Sequence, residues 1–349
     1  ACNLRPNEQR ALTRAQGFNT YLKAEDPDIL VLTETRVNNI PVDPALKARF
    51  PYQYWSISAT KTYAGTAILS KVEPLSVDYK LPGHPDQTSC KGRIITLEFE
   101  NAYLIGTYVV NAGQDLKARP HAEPWLVECL HWPRVDLPAK VEWNKHFGAY
   151  IRELDKKKPV IWTGDLNVAP TSIGCLSQLP LAQSLTSLST DLANSKKAWN
   201  KQPGHTEAEV TAFKTLLCSP EEPSVPKFVD VWRNLHPDLQ HYTYWSYRFN
   251  CREKCIGWRL DMCTLFYLVP LTSTDRLHVV LSERIADKAK MVRFACNNDL
   301  DRELTWLQCE IRDEIYGASD HVPLVLDKTA LFSDRVYPYP YAQDPAQFS

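Results

Sequence analysis

Three times along this chain a short apolar run adjoins a carboxylate. Ile29-Leu30-Val31 leads into Leu32-Thr33-Glu34-Thr35. Pro159-Val160-Ile161-Trp162 leads into Thr163-Gly164-Asp165-Leu166-Asn167-Val168-Ala169. Near the end, Gly317-Ala318-Ser319-Asp320-His321 precedes the apolar run Val322 to Leu326. Runs this short, bounded by turn residues, read as buried strands. Polar groups at strand ends can converge on one rim, where an active site can be built. Each carboxylate alone reads as an acidic residue in a turn. Together they predict a metal-dependent site.

The 349 residues, 44% of them apolar, can bury a sizeable core in one large domain or two smaller ones. A net charge of −1 gives no global field to attract nucleic acid, so any such binding needs local patches. Candidates are Lys156-Lys157-Lys158, Lys196-Lys197, Arg252 with Lys254, and Lys288, Lys290 and Arg293. Each also reads as solvated surface charge. The ten cysteines contain no C-x-x-C pair. Cys251, Cys255 and Cys263 lack the second Cys/His pair that a zinc site needs. Scattered thiols fit a reducing, intracellular compartment. Ala1 to Arg10 is polar, not a signal peptide. No apolar run approaches the ~18 residues of a membrane span. The chain starts without Met and enters interpretable sequence almost at once, which reads as a fragment lacking its first strand.

Periodicity predicts helices at Ala11–Ala24, Ala139–Leu154 and Glu207–Leu217. In the second, Phe147, Tyr150, Ile151 and Leu154 form an i, i+3, i+4, i+7 stripe. Predicted strands are Ile29–Leu32, Tyr52–Ser56, Thr66–Leu69, Arg93–Phe99, Tyr103–Val110 and Val160–Thr163, then Thr243–Tyr247, Arg259–Tyr267, Glu310–Arg312 and Pro323–Leu326. This mixture favours an α/β sandwich with one continuous core. The stretch 174–194 reads as an insertion, and so does 282–307, which is charged and helical in pattern. A domain over 1–328 and an irregular tail over 329–349 follow.

The order of motifs resembles the exonuclease III and AP endonuclease branch of the endonuclease/exonuclease/phosphatase superfamily. The matching stretches are Pro27-Asp28-Ile29-Leu30 through Glu34-Thr35, Tyr108-Val109-Val110-Asn111-Ala112-Gly113 and Gly164-Asp165-Leu166-Asn167-Val168-Ala169. Gly257-Trp258-Arg259-Leu260-Asp261 and Ser319-Asp320-His321 complete the set. One such motif is weak; five in order are specific. The resemblance implies a four-layer αββα sandwich of the DNase I-like type. It also implies Mg²⁺-dependent phosphodiester hydrolysis on DNA, with Mn²⁺ as a substitute.

What the resemblance implies can be laid onto residues. Glu34 and Asp320 are metal ligands, and Asn3 is a third if residues are deleted before Leu4 and Arg5. Mg²⁺ is a hard ion that takes carboxylate oxygens and keeps water. Asp165 orients or deprotonates the attacking water, and Asn167 helps hold it. His321 contacts the scissile phosphate, with Asp261 fixing and charging its ring. Tyr108 and Asn111 donate to phosphate oxygens; Val110 stands between them where the family usually has Pro. Tyr244, Trp258 and Leu260 match an apolar pocket for an extruded abasic sugar, with Tyr in place of the usual Phe at 244. Tyr63 matches a DNA-facing tyrosine.

The expected function is therefore incision 5′ to abasic sites in base excision repair, with 3′-exonuclease or 3′-phosphodiesterase activity beside it, by a monomer. Two alternatives stay open on sequence. One is a retrotransposon-type endonuclease or another phosphodiesterase of the superfamily. The other is a degenerate, non-catalytic nucleic-acid-binding protein.

Overall fold

The computed structural model describes residues 18, 22–23, 26–100, 102–113, 137–170, 191–192, 200–218, 220, 227–236, 239–246, 251–266, 308–311, 321 and 324–327. β1 (Ile29–Thr33), β2 (Tyr52–Ser56) and β3 (Thr66–Ser70) form an antiparallel sheet in the order β1-β3-β2. β4 (Ser76–Asp78), β5 (Ile94–Glu98), β6 (Tyr103–Tyr108), β7 (Val160–Asp165), β8 (Phe228–Asp230) and β9 (Asp261–Phe266) form a second, ordered β4-β5-β6-β7-β9-β8. β10 (Gln308–Ile311) and β11 (Leu324–Asp327) pair antiparallel. β6 and β7 run parallel, which requires a crossover. Helix α2 (Leu137–Asp155) lies in that crossover.

β3 and β6 are buried at every position, so each is covered on both faces. That explains why Thr-Ala-Ile-Leu-Ser lacks polar alternation. Between the two large sheets lie Ile68, Ile95, Leu97 and Leu104, with Ile29, Val31 and Ile161. At Gly106 of β6 a Cβ would stand 2.9 Å from Cγ1 of Val31 and 3.1 Å from Cδ1 of Ile68. Only glycine lets the sheets approach this closely there. On the outer face of the six-stranded sheet, Trp143, Phe147 and Ile151 of α2 pack with Val210, Phe213 and Leu216 of α3 (Glu207–Leu217) against Trp162 and Ile105. Outside the smaller sheet, Phe18, Leu22 and Leu46 cover Leu30, Leu69 and Trp55. The layers are thus helix, sheet, sheet, helix, as the resemblance implied.

Local chemistry sets the helix ends. Asp43 caps α1 (Pro44–Arg49) by accepting from the amides of Ala45 and Leu46, and Pro44 sits in the first turn, where no amide partner is lost. Thr206 and Glu209 form a reciprocal capping box on α3. Asp230 caps α4 (Val231–Leu235).

The helix over Glu207–Leu217 forms as predicted, and the second predicted helix gains a residue or two at each end. The elements α1, β4, β8 and α4 are too short to show a period and were not anticipated. Of the strand predicted over Thr243–Tyr247, the described residues 243–246 form none; Tyr244 instead makes single bridges to Trp258 and to His321. The Thr243 hydroxyl explains this, because it accepts from the amides of Leu260 and Asp261 at 3.0 and 3.1 Å and so replaces ladder bonds. Cys218 departs from the free-thiol reading, since it is disulfide-bonded. The predicted helix over Ala11–Ala24 falls mainly outside the described residues, as do most of 174–194, all of 282–307 and the tail.

Candidate active site

Register brings three site residues abreast. Tyr108 ends β6 opposite Asp165 at the end of β7, and Asp165 stands opposite Asp261 at the start of β9. Residues directly opposite in a sheet project to the same face. Glu34 arrives from the other sheet, just past β1. The Tyr108 hydroxyl donates to Oε1 of Glu34, and Arg36 pairs with Oε2. Glu34 and Arg36 hold left-handed backbone, φ 50° and 52°. For residues other than glycine this costs on the order of 1–3 kcal/mol, and such strain concentrates at functional sites. The Thr35 and Arg36 amides secure the turn on the carbonyls of Gly65 and Ala64 at 3.0 and 2.8 Å.

The Gly164–Asn167 turn needs its own residue types. At Gly164, φ 134°, a Cβ would stand 2.0 Å from the Thr107 carbonyl oxygen. Asn167 takes φ 48°, which Asn tolerates better than most residues. Its amide donates to Oδ1 of Asp165 at 2.8 Å, and its Nδ2 donates to the Val109 carbonyl at 2.8 Å. Asn111 donates through Nδ2 to Oδ1 of Asn167 at 3.0 Å. The Asp165 and Asn167 side chains are therefore fixed before any substrate arrives.

Nδ1 of His321 meets Oδ2 of Asp261 at 2.7 Å, so the two act as a pair. Asp165 is 3% exposed. Burial pushes its carboxyl up to about 7; the charges of Asp261 and Glu34 push the same way, while His321 and the Asn167 amide pull it back. Burial also raises the Tyr108 phenol, with Glu34 adding to it, so Tyr108 stays a hydrogen-bond donor.

Tyr244, Trp258 and Leu260 come together with Ala169 and Leu192 in one apolar cluster. Tyr244 bridges to Trp258 on one side and His321 on the other, and the Tyr244 and His321 rings lie 4.9 Å apart. The expected pocket wall is thus joined to the expected phosphate-contacting histidine. Tyr63 reaches the site through Arg93, which donates to its hydroxyl at 2.8 Å and to the Tyr108 carbonyl at 3.3 Å.

Three residues here had no role assigned from sequence. Arg93 is buried between the rings of Tyr63 and Tyr108, 5.4 and 5.1 Å from their centres. Arg259, inside the Gly-Trp-Arg-Leu-Asp run, is fully buried and forks to Asp191 and Asp230. Lys140 lies beneath the Asn167 turn, bonded to its carbonyl. The signal for Lys140 was available: it occupies the apolar stripe of α2 with Trp143, Phe147, Ile151 and Leu154.

Among the described residues no group of three His, Cys, Asp or Glu closes on one point. Asp320 and Asn3 lie outside the described residues. The described side chains at the seam, Glu34, Asp165, Asn167 and Asp261, carry oxygen donors, the kind that a hard divalent ion takes.

A family model described as the Endonuclease/Exonuclease/phosphatase family matches residues 3–340. An exodeoxyribonuclease of Bacillus subtilis is 36% identical over 256 residues, covering 73% of this chain and 83% of its own length. The DNA repair nuclease APEX1 of Danio rerio is 34% identical over 260 residues, 73% of this chain and 69% of its own. The structure of an AP endonuclease from Archaeoglobus fulgidus shares the fold at a TM-score of 0.55 and 23% identity, over 88% of this chain and 91% of that one.

Proposed function

Because this chain belongs to the endonuclease/exonuclease/phosphatase family, whose members are generally divalent-metal dependent, we propose that it is a monomeric DNA-repair nuclease incising 5′ to abasic sites. Its relatives' names support a nuclease that acts on DNA within the cell. Among the described residues no helix is long and apolar enough to cross a membrane. The observation that carries the abasic reading is the contact between pocket and histidine: Tyr244 touches both Trp258 and His321. A sugar held against Tyr244, Trp258 and Leu260 would leave its 5′ phosphate beside His321. Flipping a nucleotide costs least where no base is stacked or paired.

In this reading Asp165 takes a proton from water, and Asn167 positions that water. The water oxygen forms a bond to phosphorus as the bond to the 3′ oxygen of the upstream nucleotide breaks, and that oxygen takes a proton from solvent. His321, charged against Asp261, donates to the phosphate oxygen on which charge develops, and Tyr108 and Asn111 donate to its neighbours. Glu34 would hold a divalent ion, Mg²⁺ or Mn²⁺, with Asp320 and Asn3. When bound, that ion would supply charge neutralisation at the phosphate. A 3′-exonuclease or 3′-phosphodiesterase activity needs the same chemistry with a different strand end.

A duplex with one abasic site, incubated with Mg²⁺ or with chelator, tests the reading directly. Cleavage 5′ to the site in Mg²⁺ alone supports it. Full activity in excess chelator sinks the metal assignment. Equal cutting of intact and abasic duplexes sinks the abasic one. Trp258→Ala should lower abasic incision and narrow its advantage over an intact site; an unchanged ratio would return these aromatics to ordinary core. Asp261→Ala and His321→Ala should each cost ~10²–10³-fold, the range for loss of one transition-state partner. The double variant should cost far less than their product, because the pair acts as a unit. Multiplicative losses would mean that the 2.7 Å contact has no catalytic weight.

A further inference from the structure

Lys140 is a buried cation placed under the hydrolytic turn, and the chemistry above does not use it. Its side chain is 2% exposed and that of its partner Glu209 is 0%, with 2.8 Å between Nζ and Oε1. A buried ion pair is a poor device for stability alone, since apolar residues of the same size do as well or better. This one is joined to the site on both sides. Nζ donates to the main-chain carbonyl of Asn167. Glu209 accepts from the Gly204 amide at 2.8 Å and from the Thr206 hydroxyl at 2.8 Å. Gly204 returns to the same turn, for its carbonyl accepts from the Ala169 amide at 2.8 Å. Helices α2 and α3 are thereby tied to both ends of the Asn167–Ala169 segment.

We propose that Lys140 is a positioning residue: with Glu209 it clamps the left-handed turn that carries Asp165 and Asn167. The peptide of Asn167 has two tethers. Its amide is held by Asp165 and its carbonyl by Lys140. Loss of the second frees the turn to relax from φ 48°, which moves the Asn167 amide off Asp165. Displacement of a catalytic group by about 1 Å can cost on the order of 10²-fold in rate. Burial pulls the Lys140 ammonium below its usual range, while Glu209 and, more weakly, Asp165 favour its charge.

The catalytic half of this rests on the nuclease reading, and the tests separate the two. Lys140→Met keeps the apolar stem but leaves Glu209 unpaired in the core. Lys140→Met with Glu209→Gln removes both charges and restores a neutral interior. The double variant should melt close to wild type and bind abasic duplex with a KM within about threefold. Its kcat should fall by roughly 10–10²-fold. A pair that served only packing would give normal kcat once the fold is restored, and that result overturns the proposal. A second readout needs no activity. Hydrogen exchange at the Asn167 amide, followed by NMR without metal or DNA, should quicken at least about tenfold in the double variant while core amides keep their protection. Unchanged exchange at Asn167 also overturns the clamp. If wild type cuts no duplex but the exchange effect appears, the nuclease reading fails and the clamp stands.

Discussion

Asp165→Asn is expected to lower incision by at least ~10²–10³-fold while leaving duplex binding close to wild type. The substitution keeps the shape of the side chain and removes its ability to take a proton. Phosphate contacts elsewhere carry most of the affinity, so an electrophoretic shift with abasic duplex should be unaltered. The environment of Asp165 sets the pH dependence. Its carboxyl is pushed up to about 7, first by burial and then by the neighbouring Asp261 and Glu34 charges. Only the ionised form can act as a base. Wild-type kcat/KM should therefore climb about tenfold per pH unit along its acid limb and level off once Asp165 is ionised. Positive charge brought to the site shifts the limb to lower pH. The same shift has a consequence for stability. The folded protein holds this proton more tightly than the unfolded chain. The group therefore favours folding at low pH, and that contribution is lost as pH rises from about 4 through about 7. Asparagine is neutral throughout, so Asp165→Asn should melt higher than wild type at pH 8. A variant that is inactive and also less stable at pH 8 would point to a structural role instead.

Arg259→Met is expected to destabilise the fold by about 3–5 kcal/mol, the usual result of leaving buried charges without their partner. Arg259 is wholly buried. Burial opposes its charge, but Asp191 and Asp230 outweigh burial and hold it firmly protonated. Nε and Nη2 reach Asp191 at 2.7 and 3.2 Å, and Nη1 and Nη2 reach Asp230 at 3.2 and 2.7 Å. Asp191 keeps Arg233 after the substitution, but its second partner is gone. Arg259→Lys should fail almost as badly, since one ammonium cannot fork to two carboxylates. Urea denaturation measures both. A loss under about 1 kcal/mol would show that water or rearrangement satisfies the two carboxylates. Domains are commonly stable by only 5–15 kcal/mol. A loss of the expected size would therefore reduce activity through the folded fraction, with kcat per folded molecule less affected.

Much of the fold was legible because its main strands are short apolar runs bounded by turn residues. Ile29–Thr33, Thr66–Ser70 and Val160–Asp165 announce themselves as apolar runs with turn residues at their ends. The short elements were not legible. Ser76–Asp78 and Phe228–Asp230 are too brief to express a period, although Asp43-Pro44 was a readable start for α1. Tyr244 misled because aromatic, β-favouring residues surround it, while the Thr243 hydroxyl takes the bonds that a ladder would use. At the site, sequence order pointed to Glu34, Asp165, Asn167, Asp261 and His321 as candidates, and the structure brings Asp261 to His321 and Asn167 to Asp165. Asn3 and Asp320 lie outside the described residues. What sequence could not supply was the buried support. The partners of Arg93, Lys140 and Arg259 lie 15 to 69 residues distant along the chain, and only the helical stripe of Lys140 hinted at burial.

Gly106 bears on the chemistry without approaching it. Glu34 belongs to one sheet, while Tyr108, Asp165 and Asp261 belong to the other. The catalytic gap is therefore a distance between two slabs. Gly106 is a missing shim in that joint, and Val31, three residues before Glu34, presses into the space it leaves. A methyl group there would jack the slabs apart and widen the span between Glu34 and Tyr108, with every site residue still in place. The reach of the carboxylates is in this sense machined by the core, and the tolerance of the active site is the tolerance of an apolar seam.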